Sequence, residues 1–270
     1  MKRTETEAIT AIEARGPDAL RFLNGQVTQD VSLATMERSV LALVTDAKGK
    51  LQAELAIHHL SEDAFLLTAP AELADTLYDR LDRYLISDDL VLEKRPEFSH
   101  LTHVLTDDAP VLPGLAKPIA RYGEVGLDLI GKEADFVALA EPEPEFFTKV
   151  RVEHRIPAWG RELTPGILPQ EANTEASHIS FNKGCYIGQE VISRIKSVGR
   201  VNRMLTAFSI DDEGNWENAE LLDGNEMVAQ ITSATSEAGL AFLHRKFAEK
   251  EEFEINGTDG CKSFARPRSL

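Results

Sequence analysis

Residues 181–203 read FNKGCYIGQEVISRIKSVGRVNR, and no other stretch of the chain is as dense in chemistry. Its charge runs against that of the whole chain, which has 270 residues and a formal net charge of -16. The stretch has a local balance of +4, from Lys183, Arg194, Lys196, Arg200 and Arg203 against Glu190. One of the two cysteines, Cys185, lies near its start. A basic segment with a thiol in an acidic chain predicts a site for a small anionic ligand.

The composition is that of a folded chain without a membrane span. Apolar residues make up 43% and charged residues 27% of the sequence, and no apolar run approaches the length of a spanning helix. The first residues, MKRTETEAIT, lack the apolar core of a secretory signal. We therefore expect a cytoplasmic protein with reduced thiols and no membrane partner. An isoelectric point near 4.9 also argues against direct binding of nucleic acid.

The chain shows no pattern typical of a metal site. It contains no C-x-x-C and no H-E-x-x-H, and its cysteines, Cys185 and Cys261, are far apart. An ordinary iron–sulfur cluster takes four thiolates, which two cysteines cannot supply. We expect no metal bound by this chain's own side chains alone.

The pattern before residue 106 predicts an α+β layer of helices on an antiparallel sheet. Helices are expected at 17–24, with Leu20 and Leu23 buried, Phe22 less firmly assigned and Gly25 as the stop, and at 71–85. Strands are expected at 40–45, 51–60, 65–68, 90–94 and 99–105.

A turn-rich connector at 107–118 follows, and short strands from residue 203 onward predict a small barrel or sandwich. These patterns divide the chain into a first subdomain at 1–106, a second at 107–199 and a barrel-like module at 200–270.

The chemistry is concentrated around the thiol. Gly184 and Gly188 allow tight turns and close approach of a ligand to the backbone. Lys183 lies two residues from Cys185, where a cation would stabilise the thiolate. Tyr186 offers a ring for stacking and a hydroxyl for hydrogen bonding. A structural cysteine among ordinary turn glycines is the alternative, but the coincidence of these features favours a functional site.

The next segment, 189–197, is expected to be a helix whose first N–H groups attract an anion. Its predicted buried stripe is Val191, Ile195 and Val198.

These residues carry a resemblance to a known family. KGCYIGQE at 183–190, followed by Arg194, resembles the signature of the YgfZ-type folate-binding proteins in the superfamily of the glycine-cleavage T-protein. Three further blocks resemble the same family: GPDALRFLNGQVTQDV at 16–31, DAKGKL at 46–51 and VRVEHRIPAWGREL at 150–163. The four blocks are spread over most of residues 15–203.

The resemblance implies ferredoxin-like halves that form a folate-binding module, with a small β-barrel at the C-terminus. It also implies an accessory protein, rather than a conventional enzyme, that binds tetrahydrofolate and assists assembly or repair of iron–sulfur enzymes. The family is linked with tRNA modification as well. The implied partners are reduced folate and iron–sulfur enzymes or assembly factors, and Cys185 is the implied key thiol.

The resemblance also suggests which residues bind the folate. In the signature these are Lys183, Tyr186, Gln189, Glu190 and Arg194. Glu153 matches a glutamate that contacts the pterin in the T-protein, although a salt bridge with Arg151, Arg155 or Arg161 is the structural alternative. Trp159 is expected either to stack on the ligand or to fill the core.

Two other functions stay open at this point. The T-protein transfers an aminomethyl-derived one-carbon unit to tetrahydrofolate and relies on an Asp-Asp pair. The matching positions here are Ala53 and Glu54, so only one acid remains and an aminomethyltransferase-like enzyme would depend on Glu54. Alternatively, Cys185 would act without folate, as a redox or persulfide carrier activated by Lys183.

Overall fold

The structure is a computed structural model that describes residues 1–106 and 110–268. Within these residues the helices are α1 Ala19–Gln26, α2 Ala74–Asp82, α3 Pro144–His154, α4 Glu175–His178 and α5 Gln189–Ser197. Short 3-10 turns lie at Val31–Leu33, Ala71–Leu73, Glu133–Phe136 and Arg245–Phe247. The chain divides into two compact units, with Met1–Pro144 and Glu175–Val191 in unit 1, and Glu145–Thr174 and Ile192–Leu270 in unit 2.

Unit 1 is built on a sheet of nine strands among its described residues. The strands are β1 Lys2–Arg3, β2 Glu7–Arg15, β3 Val40–Thr45, β4 Leu51–Ser61, β5 Ala64–Pro70, β6 Val91–Lys94, β7 His100–Leu105, β8 Leu115–Ile119 and β9 Gly126–Gly131. The main order is β3-β4-β5-β2-β7-β9-β8, with β1 paired to β7 and β6 to β2. A backbone bond from Ser39 N to Pro118 O, 2.7 Å long, brings the two end strands together.

The hairpin between β3 and β4 follows from its sequence. Every residue of β3 is buried, as expected for the run VLALVT. In the turn, one carboxylate oxygen of Asp46 accepts from the backbone N–H of both Lys48 and Lys50. Gly49 has φ 71°, a conformation that favours glycine. This predicted hairpin is confirmed, and it places the start of β4 beside the candidate site.

Unit 2 contains a closed barrel with the strand order β10-β13-β12-β11-β14-β15. Its strands are β10 Arg203–Ile210, β11 Glu220–Asp223, β12 Glu226–Ala234, β13 Ala238–His244, β14 Phe253–Asn256 and β15 Lys262–Pro267. Phe208, Trp216 and Phe253 lie in its core. The barrel predicted from the short strands is therefore confirmed, and the sandwich is not observed.

Several local predictions were wrong. Strand β2 was not predicted, because Glu7, Glu13 and Arg15 interrupt its apolar pattern. In α1, Leu20 is exposed while Phe22 and Leu23 are buried. This helix also continues through Gly25 to Gln26.

In α5 the buried residue is Ile192, and Val198, predicted to be buried, is 83% exposed. Residues 107–109 of the predicted connector lie outside the described residues. The later part of this connector contains strand β8 rather than only turns.

The α+β class with a C-terminal β-barrel is confirmed. The three-part division at 1–106, 107–199 and 200–270 stays a prediction, and the compact units are drawn differently from it. In the part of the chain that the structure describes, no helix has both the length and the apolar character that a membrane crossing needs.

Candidate functional site

The signature loop, Lys183–Gly188, is fixed to the end of α1. The Lys183 ammonium donates to the carbonyl oxygens of Asn24 at 2.8 Å, Val27 at 2.9 Å and Gln29 at 2.7 Å. The last carbonyls of a helix lack partners within the helix, and a cation at that end also complements the helix dipole. Lys183 therefore acts as a cap supplied from a distant part of the chain.

The other end of the loop is fixed to the β3–β4 hairpin. Ile187 N donates to Gly25 O, while Thr45 Oγ1 donates to Ile187 O at 2.7 Å. Gly188 has φ +90°, and a Cβ on it would lie 2.6 Å from Asp46 O and from Thr45 Oγ1. Three of the four sequence blocks, 16–31, 46–51 and 183–190, thus meet in unit 1.

Tyr186 is a buried residue of the loop, and its hydroxyl makes no hydrogen bond within the described part of the chain. Its side chain is 7% exposed, and the hydroxyl has no hydrogen-bond partner among residues 1–106 and 110–268. The Lys183 ammonium lies 5.2 Å from the centre of the ring. Burial raises the pKa of Tyr186 to about 12, so the hydroxyl keeps its proton at neutral pH. A buried hydroxyl without a partner is unfavourable, which makes it a point where a ligand would gain affinity.

Cys185 lies on the outer side of the same loop. Its thiol is free and exposed, and the neighbouring Gly184 is exposed as well. A Cβ on Gly184 would meet nothing within 4 Å. The loop therefore presents an accessible thiol beside an uncrowded stretch of backbone, on a segment that is anchored at both ends.

The contacts of Lys183 show a task that its sequence position did not suggest. All three N–H groups of its ammonium are used by carbonyl oxygens, so it does not stabilise the Cys185 thiolate through a hydrogen bond. Burial lowers the pKa of Lys183 to about 8. The geometry supports an anchoring role, and direct folate binding by Lys183 stays a prediction.

A carboxylate–imidazole pair in unit 1 was not predicted from the sequence. Glu54 Oε1 in β4 lies 3.0 Å from Nε2 of His178 in α4, 124 residues away along the chain. A carboxylate can only accept, so Nε2 carries the proton. Ser177 Oγ lies 2.7 Å from the other ring nitrogen, and Thr28 Oγ1 donates to the His178 carbonyl. His178 stands five residues before Lys183 in the sequence, which is the only signal that could have drawn attention to it.

The predicted site residues of unit 2 are not anchored as the signature loop is. Glu153 is exposed, and its only salt-bridge partner within the described residues is Lys149, at 3.9 Å, rather than one of the three arginines. Arg151 instead donates to Glu162 at 2.6 Å, a fully buried carboxylate that also accepts from Ser233. Trp159 is half-buried, and Arg194 is exposed on α5.

The structure thus places the predicted site residues in two groups. Unit 1 contains Lys183, Cys185, Tyr186, Gln189 and Glu190, where Gln189 N donates to Tyr186 O at the start of α5. Unit 2 contains Glu153, Trp159 and Arg194. The folate-binding roles of both groups stay predictions.

Comparisons with known proteins agree with these blocks. Residues 4–103 match the GCVT N-terminal domain. The chain is 28% identical over 220 residues to the tRNA-modifying protein YgfZ of Pectobacterium carotovorum, covering 70% of this chain and 65% of that protein. It is 29% identical over 221 residues to the YgfZ protein of Klebsiella pneumoniae, covering 72% and 67%. The matches therefore span about two thirds of these relatives.

The fold has a close counterpart among solved structures. The crystal structure of the glycine cleavage system aminomethyltransferase T from Bartonella henselae superposes with a TM-score of 0.76 over 100% of this chain and 86% of that chain, at 15% identity. At that identity the likeness concerns the fold alone. Together the comparisons confirm the predicted resemblance: residues 4–103 match the GCVT N-terminal domain, and the chain as a whole is similar to YgfZ proteins.

Proposed function

We propose that this chain is a tetrahydrofolate-binding accessory protein that assists assembly or repair of iron–sulfur enzymes, with Cys185 as its functional thiol. One observation carries the proposal: the signature loop holds an exposed thiol on a segment that Lys183 and Gly188 anchor at both ends. Ordering a loop costs conformational entropy, and such ordering is typical of segments that present a functional group. The likeness to YgfZ proteins supplies the link to tRNA modification.

The residues present are compatible with a bound folate. The Tyr186 hydroxyl is buried and makes no hydrogen bond within the described residues, so a polar group of a ligand that reaches it would gain one. The backbone at Gly184, in the same loop, is uncrowded. Glu153 and Arg194 lie in unit 2, and their contacts with a folate stay predictions. When bound, tetrahydrofolate would supply a carrier for one-carbon units.

Cys185 is expected to act on a partner rather than on the folate. Two cysteines are too few for a four-thiolate cluster, so Cys185 would supply at most one ligand of a cluster site shared with another protein. The exposed thiol is placed to meet such a partner or a sulfur species.

The second cysteine offers a matched control for the test, because Cys185 and Cys261 are both exposed. Cys185→Ala is expected to bind tetrahydrofolate as the unmodified protein does, in an anaerobic calorimetric titration. In cells that lack the native protein it is expected to leave iron–sulfur enzyme activity impaired, whereas Cys261→Ala restores that activity. Full activity with Cys185→Ala would refute the role of the thiol, and absent binding by the unmodified protein would refute the role of folate.

One observation favours a second function, folate-dependent one-carbon transfer. Glu54 is oriented by its hydrogen bond from the buried His178, and its second oxygen, Oε2, accepts no hydrogen bond among the described residues. Such a carboxylate could accept a proton or stabilise an ammonium. Formation of methylene-tetrahydrofolate from amine donors, lost in Glu54→Gln, would support transfer. Absence of turnover with every donor would exclude it.

A further inference from the structure

Arg121 and Glu54 are oppositely charged side chains of unit 1, and each has polar atoms that make no hydrogen bond within the described residues. Arg121 follows strand β8, and Glu54 lies in β4. Each is held by a buried partner, Asp128 for Arg121 and His178 for Glu54. The proposed role of Cys185 requires neither of them.

Asp128 fixes the guanidinium from the side. Nε of Arg121 donates to the two carboxylate oxygens at 2.8 and 2.9 Å, and Nη2 donates to Oδ2 at 2.7 Å. Asp128 is fully buried and also interacts with Nδ1 of His103 at 2.9 Å. This side-on pairing leaves the end of the guanidinium, Nη1 and the second Nη2 proton, without an acceptor in the described chain. The side chain is 22% exposed, so that end can reach a ligand.

His178 fixes Glu54 in a corresponding way. Oε1 accepts from Nε2 of His178, which is itself almost fully buried. Oε2 has no hydrogen-bond or ion-pair partner in residues 1–106 and 110–268, and the side chain is 17% exposed. A carboxylate oriented in this way can accept a hydrogen bond from a ligand through Oε2 without a change of its side-chain conformation.

Side-chain packing brings the chain segments that carry the two groups together. Leu41, Ala56 and Ile119 form one buried cluster. Glu54 lies two residues before Ala56 on the same face of β4, and Arg121 lies two residues after Ile119.

Electrostatics agree with this placement. Burial opposes the charge of Arg121, but Asp128 outweighs that effect and Glu54 adds to it, so the pKa of Arg121 is raised. No ion pair joins Arg121 to Glu54, since the salt bridges of the two residues go to Asp128 and His178. The two charges are therefore not paired with each other, although Glu54 is close enough to act on Arg121 electrostatically.

We propose that Arg121 and Glu54 bind a small zwitterion of the amino-acid class. The carboxylate of the ligand takes the end-on fork of Arg121, a geometry that matches two parallel hydrogen bonds. The ammonium of the ligand takes Oε2 of Glu54. This inference does not depend on folate binding, because both groups lie in unit 1 and are positioned without a cofactor.

The test uses the full chain and compounds that differ in one group each. Glycine, β-alanine and 4-aminobutyrate carry both charges at increasing separation, while acetate and methylamine carry one each. Binding is followed by ligand-observed NMR titration at low salt. At least one of the three zwitterions is expected to bind at one site, and acetate and methylamine more weakly by about tenfold, the equivalent of 1.4 kcal/mol.

Glu54→Gln is the informative variant, because glutamine can still accept from His178 but carries no charge. It is expected to weaken the zwitterion by about tenfold while leaving acetate unchanged or tighter, since a nearby negative charge has been removed. Arg121→Lys keeps a cation for Asp128 but lacks the fork, and should weaken both ligands. Arg21→Gln, a change at an exposed arginine elsewhere in unit 1, should change neither.

Two results would overturn the proposal. One is the absence of binding by all three zwitterions at tens of millimolar. The other is binding that Glu54→Gln and Arg121→Lys leave unchanged. Because no folate is present, neither result bears on the proposed folate-binding function.

Discussion

Replacing Gly188 by alanine should destabilise unit 1, while the same change at Gly184 should not. Gly188 has φ +90°, and its added Cβ would meet two atoms at 2.6 Å, Asp46 O and Thr45 Oγ1. The first is a backbone oxygen, which cannot rotate away. The loop and the hairpin would therefore have to separate, breaking the hydrogen bond from Thr45 Oγ1 to Ile187 O.

The size of the effect can be worked from these contacts. An alanine in the left-handed region costs about 1–2 kcal/mol. The lost hydrogen bond adds about 1 kcal/mol. We therefore expect Gly188→Ala to lower the free energy of unfolding by about 3 kcal/mol. At Gly184 the added methyl group meets nothing within 4 Å. Alanine also reduces the entropy of the unfolded chain, so the free energy of unfolding should stay the same or rise by up to about 1 kcal/mol.

Urea unfolding followed by far-ultraviolet circular dichroism is the suitable assay. Both tryptophans, Trp159 and Trp216, belong to unit 2, so their fluorescence would not report directly on the loop. Equal stability of Gly188→Ala and the unmodified chain would refute the packing argument. Equal losses in the two variants would show instead that glycine is required along the whole loop.

Two further predictions concern the half-buried Lys183 and the buried His58. Lys183→Met removes three hydrogen bonds from a charged donor and should lower the free energy of unfolding by about 3 kcal/mol in the same assay. The control Lys48→Met, at an exposed turn residue, should change it by less than about 0.5 kcal/mol. A similar small loss at both lysines would contradict the anchoring role. Burial lowers the pKa of His58 from 6.5 to about 4, so as the pH drops the unfolded state takes up a proton before the folded state does. The free energy of unfolding therefore falls between pH 6.5 and pH 4, by up to about 3 kcal/mol. His58→Gln should flatten the fall between pH 6.5 and 5, and an unchanged slope would show that other groups cause it.

Sequence periodicity predicted the elements whose own residues carry a clear local pattern. Strand β3 is apolar throughout, and the turn at 46–49 contains both the aspartate and the glycine that the hairpin requires. Strand β2 escaped prediction because Glu13 breaks its pattern. In the folded protein Glu13 is buried and paired with Arg15 and Arg95, and Arg95 comes from a distant part of the chain. Only tertiary structure makes a charged residue acceptable at that position.

The same limit applies to the candidate site. The thiol, the glycines and the tyrosine are neighbours in the sequence, so their proximity was predictable. The pairing of Glu54 with His178 and the arrangement around Arg121 join residues from separate strands and helices, and no local pattern indicates them. Glu153 shows the converse case, in which a clear match in sequence leads to an exposed side chain whose role only a ligand can reveal.

Lys183 shows most clearly how the contacts of a residue can reveal a task that its sequence position does not suggest. Its nearness to Cys185 suggested thiol activation, but its ammonium reaches the end of α1, 159 residues earlier in the sequence. There Asn24 O accepts from Lys183, and Gly25 O accepts from Ile187 N. These are carbonyls that the helix itself cannot satisfy, because no further turn follows. The block at 16–31 and the signature at 183–190 therefore form one structural unit, in which the second caps the helix of the first and in return is held rigid around an exposed thiol.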